Sequence, residues 1–305
     1  MSILEGRVVI VSGGGNGIGK ECAIAAANQG AKVVVSDLGG GADGREGGSA
    51  RPAEEVAELI RANGGEAVAN FDSVTDRKGV KYLMEQALDE FGGLHAVINT
   101  AGILRDKMFH KLEDEDWDAV LKVHLEGSYN IARAAVNHFR EQNEGSIILF
   151  GSTSGLIGNI GQANYSAAKA GIVGLSRIIA MEGSKNNVRC NVVAPFAWTR
   201  MIGTIPVKDE ATKRKVELMQ EKMRPDQPAM FCVALAAPGA SDVTGQVFVV
   251  RGNEIFLMSQ SRPLRGIGRN DGWTPETMLS EALPALEGSM YSLESTADVF
   301  TWDPV

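Results

Sequence analysis

Residues 7–30 read RVVIVSGGGNGIGKECAIAAANQG, and the order of residue types in this stretch decides the fold. Arg7 to Val11 is a β-branched run, the composition of a strand. SGGGNGIG follows from Ser12 to Gly19, and an alanine-rich stretch then runs to Gly30, a residue suited to ending a helix. Strand, glycine turn and helix in that order set a helix N-terminus at a strand tip, where unpaired N–H groups attract a pyrophosphate. Gly13 permits the tight turn, Gly17 lets a phosphate approach the backbone, and Gly19 lets helix and strand pack closely, with Asn16 and Ile18 completing the loop. The spacing is Gly-x-x-x-Gly-x-Gly rather than the commoner Gly-x-Gly-x-x-Gly, so the cluster takes its meaning from the flanking elements.

The alternation continues outward. Lys32 to Ser36 (KVVVS) is a second strand ending in Asp37, eighteen residues past Gly19. An acidic side chain there accepts hydrogen bonds from both adenosine ribose hydroxyls and repels a 2′-phosphate, which predicts NAD rather than NADP. Leu38 to Ser49 is glycine-rich and reads as a turn region. Ala53 to Arg61 and Lys78 to Phe91 are helical, while Glu66 to Asn70 and Ala96 to Asn99 are strands. Right-handed crossovers then place helices on both sheet faces. The predicted class is α/β, a Rossmann-like doubly wound parallel sheet of about seven strands. Residues 1–258 are expected to form a single NAD-binding catalytic domain, and 259–305 a partly helical C-terminal extension.

Chemistry concentrates in residues 144–169, EGSIILFGSTSGLIGNIGQANYSAAK. Ile147 to Phe150 suits a strand buried on both faces, and Ser152 stands just beyond it. Tyr165 and Lys169 are four residues apart at the start of the next helix, so their side chains share a face. A free phenol has a pKa of about 10 and is a poor base at neutral pH. A neighbouring ammonium favours the phenolate, which predicts Tyr165 as general acid/base, Lys169 as the cation that lowers its pKa, and Ser152 as the group holding the reacting oxygen.

Gly13-x-x-x-Gly17-x-Gly19, Asn99-Thr100-Ala101-Gly102, Ser152 and Tyr165-x-x-x-Lys169 together resemble the short-chain dehydrogenase/reductase pattern, in that family's order, over about residues 5–255. Within the family, DLGG at 37–40, ANFDSV at 69–74, AGILRDKMF at 101–109, VHLEGSY at 123–129 and GNIGQANYSAAK resemble the (3R)-hydroxyacyl-CoA dehydrogenase domain of type 2 peroxisomal multifunctional enzymes and its single-domain bacterial relatives. The resemblance implies NAD, a secondary alcohol on a hydrophobic substrate, and a homodimer or homotetramer. It implies cofactor contacts from Asp72 and Ser73 after the third strand, from Asn99, Ala101 and Gly102 after the fourth, from Tyr165 and Lys169, and from Pro195 and Thr199. Thr100 replaces the family's second asparagine, with an expected loosening of the local hydrogen-bond network. Phe196 replaces a glycine, and Thr199 comes one residue early.

From Asp114 a helical pattern places Trp117, Val120, Leu121, His124, Leu125 and Ser128 on one face, so His124 points inward. Asparagine is usual here in the wider family. His124 is read either as a proton relay to Lys169 or as a satisfied core residue. Phe196, Trp198, Met201, Ile202 and Ile205, with Leu156 and Ile157, form an apolar cluster that suits an acyl-CoA or a steroid, or else plain packing beneath a loop. Val207 to Met223 reads as a charged helical lid. Val188 to Ala194, Gln246 to Val250 and Ile255 to Met258 are further strands, and Met230 to Ala236 a helix. Thr274-Pro-Glu opens a tail helix with Met278, Leu279 and Leu283 placed to dock over the pocket, on a neighbouring subunit, or nowhere. A 17β-type hydroxysteroid dehydrogenase is the alternative activity, and a non-catalytic dinucleotide sensor the reading from another class.

Composition narrows the classes. The net charge of −8, with no basic block longer than Lys213 to Lys215, argues against a nucleic-acid or anionic-membrane partner. Three cysteines, Cys22, Cys190 and Cys232, lack C-x-x-C spacing and read as buried thiols, with no metal implied. No apolar run approaches a membrane span, and the opening lacks a cationic signal-peptide start, so a cytoplasmic location is expected.

Overall fold

The computed structural model describes residues 2–199 and 209–305. Strand β1 (Val8–Ser12) leads through the glycine turn into α1 (Gly17–Asn28), followed by β2 (Lys32–Ser36), α2 (Arg51–Ala62), β3 (Glu66–Asn70), α3 (Arg77–Phe91) and β4 (Ala96–Asn99). The second half runs α4 (Asp114–Leu121), a π-helical turn Lys122–Glu126, α5 (Gly127–Gln142), β5 (Gly145–Phe150), the short α6 (Thr153–Leu156), α7 (Ala163–Gly183) and β6 (Val188–Phe196). After α8 (Glu210–Lys222) and α9 (Asp226–Ala236) come β7 (Val247–Arg251) and β8 (Glu254–Leu257). The eight strands form one sheet in the order β3-β2-β1-β4-β5-β6-β7-β8. Seven are parallel, and β8, at the strand expected over Ile255 to Met258, adds antiparallel to β7.

Alternation along each strand explains why the sheet is buried on both faces. Val9, Val11, Val33, Val35 and Ile98 pack against α1, α2 and α9, where Cys22, Ala26, Val56, Ile60 and Cys232 meet them. Val8, Ile10, Val34, Val97 and Ile147 pack the other way, onto Leu83, Ile131, Phe139 and Ile172 of α3, α5 and α7. All three cysteines are free and buried. Because β1 lies between β2 and β4, the chain reverses its winding there, and Ser12, Ser36 and Asn99 end their strands level. A crevice opens at that reversal, beyond the C-terminal strand ends.

Thr274 caps a short helix with a reciprocal capping box, but Met278, Leu279 and Leu283 are 45%, 69% and 48% exposed and do not dock. The segment that returns to the body lies further on, where Phe300 packs edge-on against Phe196 and Phe256, and Asn253 N–H donates to Val305 O. Met201, Ile202, Ile205 and the start of the predicted lid at Val207 lie outside the described residues.

Candidate active site

The glycine turn is shaped by contact as well as by backbone angle. Gly13 and Gly17 have φ of +74° and +51°, the left-handed region that favours glycine. A Cβ on Gly19 would meet Gly13 O at 2.1 Å, so α1 packs onto the turn only because that atom is missing. Thr100 does not loosen this region. Its hydroxyl donates to Ser12 O at 2.8 Å and lies 3.2 Å from Gly13 O, tying β4 to the turn. The first bond inside α1 runs from Lys20 N to Asn16 O, which leaves the N–H groups of Gly17, Ile18 and Gly19 unspent at the helix start. Asp37 is held from two sides, with Gly15 N–H on Oδ2 at 2.8 Å and Gly39 N–H on Oδ1 at 2.7 Å.

Gly13, Gly17, Ile18, Gly19, Asp37 and Thr100 line a cleft of about 690 Å³ together with Asn16, Asp72, Ser73, Ala101, Gly102, Pro195 and Thr199. Asp72 is oriented by Asn70, whose Nδ2 donates to it at 2.9 Å. Asn99 is not on the wall; it lies behind, buried, donating to Ser128 Oγ at 3.1 Å, with its own Oδ1 unpartnered among the described residues. Both features a dinucleotide needs are therefore built in. The unspent N–H groups suit a pyrophosphate, and the fixed Asp37 carboxylate suits a ribose diol.

Ser152, Tyr165 and Lys169 converge on the same cleft. The Ser152 hydroxyl oxygen accepts from Ser154 N–H at 3.1 Å, and the hydroxyl is also hydrogen-bonded to the Tyr165 phenol. Lys169 Nζ lies 5.4 Å from the Tyr165 ring centroid and donates to Phe150 O at 2.6 Å. The expected lowering of the phenol pKa is not what this environment produces. Burial pushes the phenol up to about 12, opposed by its hydrogen bond with Ser152 and assisted by the Asp106 charge. Burial likewise pulls the Lys169 amine down to about 7. Desolvation penalises phenolate and ammonium alike, and at this depth it exceeds the benefit of four-residue spacing.

His124 is buried in the π-helical turn, a distortion often found at functional positions. Its ring stands edge-on to Tyr165 with centroids 5.1 Å apart. Nε2 lies 2.8 Å from Ile103 O, and Nδ1 is buried without a partner among the described residues. Burial first, and the Lys169 charge second, hold the imidazole well below its usual pKa, so it is neutral. Gly102 makes room for it, since a Cβ there would meet His124 Cε1 at 2.3 Å.

Among the described residues, only part of the expected apolar cluster reaches the cleft. Phe196 lines it, but Trp198, Leu156 and Ile157 do not; Ser154, Asn159, Gln162 and Thr296 do. Gln162 donates to Asp106 Oδ2 at 2.7 Å and accepts from Ser154 Oγ at 2.7 Å, and Asn159 donates to Ser154 Oγ at 2.8 Å. Thr296 N–H donates to Gly158 O at 3.0 Å, bringing the tail onto the loop that carries Ser152. Gln162 was findable as the residue just before the catalytic helix. Thr296 carries no local signal, because only the tail's return path places it here.

A doubly wound sheet, a glycine turn at its crevice and a hydroxyl, phenol and amine on one wall define an oxidoreductase acting on CH–OH groups. The chain belongs to the short-chain dehydrogenase family, whose model matches residues 7–205. It is 47% identical over 252 residues to a short-chain type dehydrogenase/reductase of Mycobacterium tuberculosis, covering 83% of this chain and 84% of that one. It is 44% identical over 276 residues to the mouse peroxisomal multifunctional enzyme type 2, covering 90% of this chain but only 36% of that longer protein. The 3-oxoacyl-[acyl-carrier-protein] reductase of Thermotoga maritima is 33% identical over 254 residues, 83% of this chain and 99% of that one. A crystal structure of a short chain dehydrogenase from Mycobacterium avium superposes with a TM-score of 0.82 at 38% identity, covering 95% of this chain and 97% of that one. Among the described residues no helix is long and apolar enough to cross a membrane, and no cluster of metal-ligating side chains occurs.

Proposed function

We propose that this chain is an NAD-dependent dehydrogenase interconverting a secondary alcohol and a ketone, with (3R)-hydroxyacyl-CoA as the substrate class. The observation that carries the reading is the convergence of Ser152, Tyr165 and Lys169 on a cleft whose other end presents a prefixed Asp37. Asp37 has both oxygens positioned by backbone N–H groups, so its remaining lone pairs accept from ribose hydroxyls while a 2′-phosphate meets a fixed negative charge. The polar wall of Ser154, Asn159 and Gln162 suits a substrate with a second oxygen beside the carbinol, as a hydroxyacyl thioester has, better than it suits a steroid ring. The T. maritima relative, named for 3-oxoacyl chains, supports the same class.

Bound NAD supplies the hydride acceptor and, when oxidised, a positive ring. The protein's own groups handle the proton. In the oxidative direction Tyr165, as phenolate, takes it from the carbinol, and the Ser152 hydroxyl, next to the phenol, donates to the same oxygen. Protonated Lys169 offsets the phenolate charge, and Phe150 O fixes the amine in place. In the reductive direction the neutral phenol, favoured by burial, returns the proton. His124, with Nδ1 unpartnered beside these groups, is the relay toward Lys169.

Incubation with NAD and a panel of (3R)- and (3S)-hydroxyacyl-CoAs, hydroxysteroids and simple secondary alcohols, followed by NADH absorbance, tests the reading. Turnover confined to steroids would replace the substrate class. NADH binding without turnover of any member would favour the dinucleotide sensor. Tyr165→Phe is expected to keep dinucleotide binding and lose about 10³-fold in turnover; near wild-type turnover contradicts the mechanism.

A further inference from the structure

Residues 38–49 form a looped insertion between β2 and α2, closed at its neck by Ser49 N–H donating to Leu38 O at 2.9 Å. Six of its twelve residues are glycine, and such a chain loses unusual conformational freedom when it is ordered. Internal bonds supply part of its order, Gly44 N–H donating to Gly41 O at 3.1 Å and Arg45 pairing with Asp43 at 3.2 Å, and contacts to the body supply the rest. Leu104 N–H donates to Ala42 O at 3.0 Å, and Arg105 Nε to Asp43 O at 2.8 Å. A third attachment is ionic, with Arg45 Nη2 on Asp116 Oδ1 at 2.8 Å.

Asp116 sits in the first turn of α4 with no exposed surface. What covers it are its own partners, Lys107 Nζ on Oδ2 at 2.8 Å, Arg105 Nη1 at 3.5 Å from Oδ1, and Arg45. Its backbone carbonyl accepts from Asn164 Nδ2 at 3.1 Å, and Asn164 Oδ1 accepts the N–H of Tyr165 at 2.8 Å. One residue thus touches both the glycine insertion and the start of the helix that carries the phenol.

We infer that Asp116 is a positioning residue for the bound dinucleotide: through Arg45 it holds the 38–49 insertion against the cleft and registers it with the catalytic helix. This rests on the dinucleotide reading above. Gly40, Gly41, Ala42, Gly44 and Glu46 of the insertion line the cleft between Asp37 and Ile103. An insertion already held there need not be ordered by the ligand, so binding tightens and release slows. The plainer role for Asp116, an acidic group complementing the N-terminus of α4, is separable. Arg45→Ala removes the tie to Asp116 together with the Arg45 pair to Asp43 and leaves Asp116 with Lys107 and Arg105, whereas Asp116→Asn weakens the tie and keeps the Asp43 pair.

The test measures NADH affinity and release by fluorescence and stopped flow on the full chain, with hydrogen exchange at the Leu104 amide as a second readout. Arg45→Ala is expected to weaken NADH binding about tenfold, mostly through faster release, as befits one charge-assisted hydrogen bond. Leu104 should exchange faster in the same variant. Arg45→Lys should recover part of both effects, and Asp116→Asn should move both in the direction of the alanine variant. If wild type binds NADH and Arg45→Ala releases it at the wild-type rate, this inference is overturned alone. If wild type binds no NADH, the cofactor reading falls and takes this inference with it.

Discussion

Replacing Lys169 with methionine should make the protein more stable and inactive. The amine is buried against Phe150 O, and burial lowers its pKa from 10.5 to about 7. Between those two values the unfolded chain holds a proton that the folded chain lacks, so stability rises with pH. The penalty is complete below the folded value and absent above 10.5. Integrated, it costs about 4 kcal/mol at pH 7 and about 2 kcal/mol at pH 9. Methionine removes the penalty but leaves Phe150 O without its donor, at a cost of about 1–2 kcal/mol. The net expectation is a variant about 2–3 kcal/mol more stable at pH 7 and close to wild type at pH 9. Tyr165 enters only at higher pH, since its folded value is about 12, and it is shared by both proteins. Urea unfolding of wild type and variant at pH 7, 8 and 9 reads the effect directly. Parallel pH dependences, with a constant difference between the two proteins, would refute the claim that Lys169 carries a desolvation penalty.

Three further outcomes are expected. Asp37→Ser should shift the ratio of NAD to NADP affinity toward NADP by about tenfold or more, read from paired titrations, because it removes a fixed carboxylate from the ribose site. His124→Ala should lower turnover and alter its pH profile if the unpartnered Nδ1 relays protons; an unchanged rate and profile would discard the relay. Gly102→Ala should destabilise by about 1–3 kcal/mol in thermal unfolding, since the new methyl lands on the buried imidazole, and His124→Ala in the same chain should recover much of that loss.

Local signals made the first two-thirds of the fold legible. Strands β2, β3 and β4 begin and end where the β-branched and small-residue runs do, and the level ends of Ser12, Ser36 and Asn99 follow from the parallel register. Ser152, Tyr165 and Lys169 were legible for the same reason, as strand end and helix start are set by neighbours in sequence. What escaped notice depends on contacts between distant segments. The π-helical turn around His124 adds a residue to a turn that simple 3.6-residue periodicity treats as regular. Asp116 looks like one of several acidic residues opening a helix until the glycine insertion brings Arg45 to it.

The same distinction governs the chemistry. Four-residue spacing brings an ammonium near a phenol, but spacing is a local property, whereas the dielectric around the pair is set by every element packed on the cleft. Burial raises the phenol and lowers the amine together, so the pair favours its neutral form, a phenol and an amine, over the charged one. A site in that state is an acid awaiting a ketone, and it becomes a base only when further positive charge enters the cleft. On the nicotinamide reading proposed above, the oxidised ring would bring such a charge and the reduced ring would not, which would match the direction of proton transfer to the redox state of the cofactor. Burial of Tyr165 and Lys169 thereby couples proton transfer to cofactor charge, at the stability cost that the methionine substitution measures.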